Sequence, residues 1–143
     1  MDSITFGSEP WLQAAAFSLR YEVFVLEQRI SPENEFDWRD TRGQMYFVAF
    51  AENRPAGTLR YQKSDPQTLQ PDRFCIQKAF RGQGIGRKLL AACETQGKQE
   101  GCRTSRLSAE MTAKSFYQKN GYQVVSDPFW EDGVLCVTME KVL

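Results

Sequence analysis

Three glycines at alternate positions, Gly82, Gly84 and Gly86, sit inside the run Arg81-Gly82-Gln83-Gly84-Ile85-Gly86-Arg87-Lys88. An apolar stretch, Phe74-Cys75-Ile76, comes shortly before it, and Leu89-Leu90 directly after. Glycine keeps side chains off a turn, so the backbone amides there can approach a ligand closely. A helix following the turn points its unpaired N–H groups and the positive end of its dipole back at it. A phosphate or pyrophosphate is the natural guest of such a cradle. Arg87 and Lys88 in the first helical turn oppose the dipole, a local cost that an anionic ligand relieves.

Two familiar phosphate binders do not fit. A P-loop needs a Lys-Ser/Thr pair after its last glycine, and Gly86 is followed by Arg87-Lys88. A dinucleotide fold needs G-x-G-x-x-G and repeated βαβ units, and only one such unit is present. The sequence has no histidine, which excludes Ser-His and Cys-His catalysis and any histidine-ligated metal. The cysteines Cys75, Cys93, Cys102 and Cys136 never form a C-x-x-C pair. They read as small buried thiols in a reducing compartment rather than a zinc or redox site, so no metal is expected.

The elements that must position the turn follow from spacing. Ser3 to Gly7 reads as a strand, and Ser8 as a cap for a helix opening on Glu9-Pro10. Trp11, Leu12, Ala15, Leu19, Val23 and Leu26 recur at helical spacing, carrying that helix to about Glu27. An acidic loop spans 31–40. Gln44 to Glu52 and Ala56 to Lys63 form a hairpin around an Asn53-Arg54-Pro55 turn, and Ser64 to Pro71 is loop. Arg73 to Ile76 is the central strand. The helix from about Gly84 ends near Gly101, a natural C-cap. Thr104 to Ser108 is a strand, Thr112 caps a short helix over 113–120, and Tyr122 to Val125 pairs with Val134 to Glu140. This order predicts one α/β layered domain, residues 1–143, with a mixed sheet.

Composition agrees with an ordinary globular domain: 143 residues, 41% hydrophobic, with 18 basic and 18 acidic residues. Zero net charge argues against broad nucleic-acid binding. No apolar run reaches the length of a membrane span, and the N-terminus has no signal pattern, so a cytoplasmic protein is expected.

The glycine run resembles the Gln/Arg-x-x-Gly-x-Gly/Ala motif of the GNAT superfamily, the acyl-CoA-dependent N-acetyltransferases. Downstream, Ala113-Lys114-Ser115-Phe116-Tyr117-Gln118-Lys119-Asn120-Gly121-Tyr122 resembles that family's A-x-x-F-Y-x-x-x-G-F signature. Leu19-Arg20-Tyr21-Glu22-Val23-Phe24-Val25 with Glu27-Gln28, and the closing Val137-Thr138-Met139-Glu140-Lys141, are similar to its small bacterial ElaA-like branch.

The resemblance implies a GNAT fold: a mostly antiparallel mixed sheet flanked by helices and splayed at its central strands. It implies acetyl-CoA as co-substrate, with the backbone of Gln83 to Arg87 (Gly84, Ile85 and Gly86 included), together with Arg81 and Gly82, at the pyrophosphate. Phe74, Cys75 and Ile76 would pair with the pantetheine arm as a strand does. Tyr117 would be the general acid for the leaving thiolate, since a phenol of ordinary pKa about 10 is protonated at neutral pH. The reaction implied is direct attack by a primary amine, carried by a small molecule or a peptide, and a homodimer is in keeping with the family. Asp72, Glu22, Glu27 and Glu110 are the carboxylates considered for the acceptor amine and its proton. Glu27, Glu33, Glu35, Asp37 and Asp40, with Phe36 and Trp38, would make an acidic, aromatic mouth for a cationic amine.

The branch usually has asparagine where this chain has Ser108, and histidines where it has Thr112 and Cys136. The acyl-CoA half therefore matches better than the acceptor half. The alternative implied is a CoA-binding regulatory module of the same fold with little transferase activity. A third is an enzyme making another acyl product, because the first helix is faintly similar to the acyl-homoserine-lactone synthases.

Overall fold

The computed structural model describes residues 2–143. The elements run β1 (Ser3–Gly7), α1 (Pro10–Arg20), a π-helical turn (Tyr21–Glu27), α2 (Pro32–Glu35), β2 (Met45–Ala51), β3 (Arg54–Tyr61), β4 (Lys63–Asp65), β5 (Thr68–Leu69) and β6 (Asp72–Ile76). A 3₁₀ turn (Lys78–Phe80) precedes α3 (Ile85–Gln99) and β7 (Thr104–Glu110). A second 3₁₀ turn (Met111–Ala113) leads into α4 (Lys114–Lys119), β8 (Gln123–Val124), β9 (Phe129–Glu131) and β10 (Val134–Val142). Among the described residues, no helix is long and apolar enough to cross a membrane.

The chain divides into two compact units, one comprising residues up to Tyr61 with Arg73–Cys93, the other Gln62–Asp72 with Glu94–Leu143. The first unit carries a four-stranded sheet in the order β1-β2-β3-β6. β1, β2 and β3 pair antiparallel in sequence order, so their long non-polar runs share one meander. Leu12, Ala16, Leu19 and Val23 form the stripe that α1 and its π continuation bury against Tyr46, Val48 and Cys75. The second unit carries the sheet β4-β5-β7-β10-β8, with β9 paired to β10. β5 pairs parallel with β7, and β7–β10 is antiparallel over seven residues.

Most expected elements form, and the differences have local causes. Pro10 sits at N1 of α1, which makes Glu9 rather than Ser8 the N-cap residue, with no side-chain cap. The hairpin turn falls at Glu52-Asn53, both left-handed (φ 53° and 61°), so Arg54 and Pro55 already belong to the returning strand. The 64–71 stretch expected as loop contains the short antiparallel pair β4–β5. Thr112 does not cap α4, whose N-cap is Ala113. α2 and β9, only four and three residues long, carry too little periodicity to be seen in advance.

Candidate functional site

In the first unit the glycine turn is built as a backbone cradle. Gly82 and Gly84 have φ of +79° and +82°, a region costly for other residues. A side chain added at Gly82 would meet nothing within 4 Å, and one at Gly84 only the Arg87 guanidinium at 3.9 Å. The space above both glycines is therefore open. α3 begins immediately after, at Ile85, and Arg87 and Lys88 in its first turn are exposed. Ile85 instead faces inward, packing with Ile76 against Ala51, Ala56 and Phe80. That contact anchors the turn between a fixed strand end and a fixed helix start. These residues fit an anionic phosphate guest held mainly by main-chain N–H groups.

Phe74, Cys75 and Ile76 lie in β6, the end strand of its sheet. Cys75 is buried, and burial pushes its thiol far above the ordinary range, which leaves it an inert packing residue. The strand is crowded from behind. A Cβ on Gly57 of β3 would come within 2.6 Å of Ile76 Cδ1, 2.9 Å of Leu89 Cδ1 and 3.3 Å of the Cys75 carbonyl oxygen. Glycine at 57 is what lets β3, β6 and α3 approach this closely.

The side chain of Arg81 turns away from the glycine cradle. Its Nη1 and Nη2 each donate to a carboxylate oxygen of Glu27 at 2.8 Å, and its Nε donates to the Ile76 carbonyl at 2.9 Å. Those hydrogen bonds hold the Glu27 carboxyl below its ordinary range. Glu22 accepts from Gln77 Nε2 at 3.0 Å, and Gln77 Oε1 accepts from the Ala79 N–H at 2.8 Å. Glu22 and Glu27 are thus engaged by the segment leading into the cradle. Asp72 opens β6 and is half-buried.

The acidic loop is internally neutralised, against the expectation of an open acidic mouth. Arg20, 0% exposed, donates through Nε to Glu35 at 2.9 Å and through Nη1 and Nη2 to Asp40 at 2.7 and 2.8 Å. Arg60 donates to both oxygens of Asp37, at 2.7 and 3.1 Å. Arg73, left-handed at φ 48°, donates to Asp37 Oδ2 and to the Glu35 carbonyl. Tyr46 Oη donates to Asp40 at 2.9 Å, and burial with that bond pushes its own phenol up to about 12. Burial works against the Asp40 charge, but Arg20 and Arg60 outweigh it and hold the carboxyl well below the usual range. Burial dominates at Glu35 and raises its carboxyl. Of the loop's aromatics, Phe36 packs on Phe17, Tyr21 and the Arg20 guanidinium, while Trp38 is 77% exposed under Arg39.

Sequence reasoning missed Arg20, Arg60 and Arg73. A signal existed for the first. Arg20 falls four residues after Ala16 on the buried stripe of α1, where an unpaired cation is not tolerated.

In the second unit, Tyr117 of α4 is buried, its ring edge-on to Phe116 and to Tyr122 at 5.2 and 5.7 Å. Burial, assisted by the charge of Glu110, raises its phenol far above the ordinary value, so it stays protonated. Glu110 ends β7 and is the register partner of Cys136 on β10. Ser108, on the same strand, is exposed and opposite Thr138. Tyr122 Oη lies 2.8 Å from Glu94 Oε2 and from Ser105 Oγ, and Lys141 Nζ donates to Glu94 Oε1 at 2.8 Å. That network fixes the Tyr122 ring against which Tyr117 packs.

A family model described as an acetyltransferase (GNAT) domain matches residues 13–143. The chain belongs to the GNAT acetyltransferase family. Among its relatives, YyaT of Bacillus subtilis is 36% identical over 128 residues, 88% of this chain and 86% of that protein. The uncharacterized N-acetyltransferase YjcF of the same organism is 32% identical over 127 residues, 88% of this chain and 89% of that one. Among solved structures, one from Lactobacillus plantarum shares 39% identity with a TM-score of 0.96, covering 99% of this chain and 98% of that one. Escherichia coli ElaA superposes with a TM-score of 0.85 at 23% identity, covering 99% of each chain, a likeness of fold. The expected α/β GNAT architecture and the expected acyltransferase class are both met.

Proposed function

We propose that this GNAT acetyltransferase uses acetyl-CoA to acetylate a primary amine by direct attack, with Tyr117 as general acid. The observation that carries the donor half is the pair of left-handed glycines with open space above them at the start of α3. Main-chain N–H groups from Gln83 to Arg87 hold the pyrophosphate, and Arg87 and Lys88 add charge from the first helical turn. Phe74, Cys75 and Ile76, on the end strand of the sheet, pair with the pantetheine amides. Bound there, acetyl-CoA supplies an activated acyl thioester.

Tyr117 Oη keeps its proton at every physiological pH because burial and Glu110 both disfavour the phenolate. Held protonated, Tyr117 is in the form a general acid needs, with its proton available as negative charge develops on the sulfur of the departing thiolate. Glu110 is the candidate carboxylate whose charge acts on Tyr117, and it takes the proton of the attacking amine. Glu22 and Glu27 are engaged by Gln77 and Arg81, which makes them poor acceptors of that proton.

The test is a panel of amines incubated with acetyl-CoA, with release of free thiol as the readout. Thiol release that depends on both amine and protein supports the reading. Tight CoA binding with no thiol release from any amine would refute it in favour of a regulatory module.

A further inference from the structure

The first helix changes register at Tyr21, becoming π-helical through Glu27, with the Gln28 N–H bonded to the carbonyl of Val23. Such a turn is less favourable than α-helix and recurs at functional sites. Its consequence here is geometric. Glu22 and Glu27 are five residues apart, and in an α-helix they would point about 140° from one another. In the π register, whose hydrogen bonds step by five residues, both reach the same short segment, residues 76–81. Glu22 takes Gln77, which in turn caps the 3₁₀ turn through the Ala79 N–H. Glu27 takes Arg81, which in turn holds the Ile76 carbonyl. The chain leaving β6 and entering the glycine cradle is therefore gripped at both ends by one helical turn.

We propose that Glu22 and Glu27 are positioning residues for the donor loop, and that Arg81 acts through Glu27 and Ile76 rather than as a direct phosphate ligand. This rests on the cradle being the pyrophosphate site. Three of the guanidinium's five N–H donors are already committed, two to one carboxylate and one to a main-chain oxygen, and these bonds turn the group toward Glu27 and Ile76. Anion capture then falls to the main chain and to Arg87 and Lys88. The two readings of Arg81 predict opposite signs. If Arg81 braces the loop, removing the Glu27 charge loosens it and weakens CoA binding. If Arg81 binds phosphate, removing Glu27 frees the guanidinium and tightens binding.

The experiment is calorimetric titration of free CoA into wild type, Glu27→Gln, Arg81→Gln and the double variant at one salt concentration. The pair is about 40% exposed, so its contribution is modest. Each single variant is expected to bind CoA about two- to fivefold more weakly, and the double variant no more weakly than the weaker single, as a coupled pair requires. Unchanged or tighter binding by Glu27→Gln overturns the proposal, as do additive losses in the double variant. Wild-type protein that fails to bind CoA overturns the cradle assignment instead.

Discussion

Asp40→Asn tests the arginine–carboxylate network most directly. In one substitution it removes the charge that faces Arg20 Nη1 at 2.7 Å, Arg20 Nη2 at 2.8 Å and Arg60 Nη1 at 3.2 Å. The Asp40 side chain is 4% exposed, and those of Arg20 and Arg60 are 0% exposed, so water cannot replace the lost partner. Breaking a buried pair from one side costs about 3–5 kcal/mol. For a chain of 143 residues that is a fall of about 10–20 °C in Tm. The assay is urea unfolding of wild type and variant from pH 7 down to pH 3. The sign follows from linkage. The folded Asp40 carboxyl titrates below its unfolded value of about 3.9, so its contribution is complete above that pH and is lost as pH falls toward the folded value. Asp37 behaves the same way, whereas burial of Glu35 works in the opposite sense. The gap between wild type and variant is therefore expected to be flat from about pH 7 down to about pH 5 and to narrow below about pH 4. A loss under about 1 kcal/mol at pH 7, or a gap that does not narrow in acid, would refute the reasoning.

Tyr117→Phe is expected to keep CoA affinity and lower the transfer rate by roughly 10- to 1,000-fold, read by thiol release under saturating substrates. Unchanged turnover would remove Tyr117 from the chemistry. Gly84→Val forces a β-branched residue into φ near +82° and fills the open cradle, so calorimetry should find CoA binding lost. Retained affinity would move the pyrophosphate elsewhere. All four cysteines are buried and Cys75 has its thiol driven far upward, so native protein should react with a disulfide reagent at least about 10-fold more slowly at pH 8 than the urea-unfolded chain. Rapid native labelling of Cys75 would contradict the burial of β6.

The glycine turn and the elements that flank it were legible because their signals are local. Gly82 and Gly84 carry their meaning in backbone freedom, and the Leu12–Val23 stripe in its spacing, so turn, helix and strand could be placed without long-range information, while Gly86 falls inside α3. What stayed hidden depends on pairing across the chain. The acidic run from Glu33 to Asp40 looks solvent-facing when read alone. It becomes neutral only when Arg20, Arg60 and Arg73 arrive from three other elements. Glu22 and Glu27 looked like acceptor-side carboxylates for the same reason, since nothing local announces Gln77 and Arg81. The π turn was invisible because apolar spacing over Trp11–Leu26 fits an α-helix equally well, and the five-residue hydrogen-bond step that distinguishes the two registers leaves no mark on that spacing.

The buried network also limits how this protein can diverge. Arg20, Arg60 and Arg73 are matched against Glu35, Asp37 and Asp40, so a charge-changing substitution at any one unbalances a largely buried network. Neutral drift in this loop must then pass through paired replacements, which arise far more rarely than single ones. Exposed Glu33 and Trp38 carry no such obligation to the interior. Substitutions are therefore expected to accumulate at those two positions first, on a loop whose backbone is fixed beneath them.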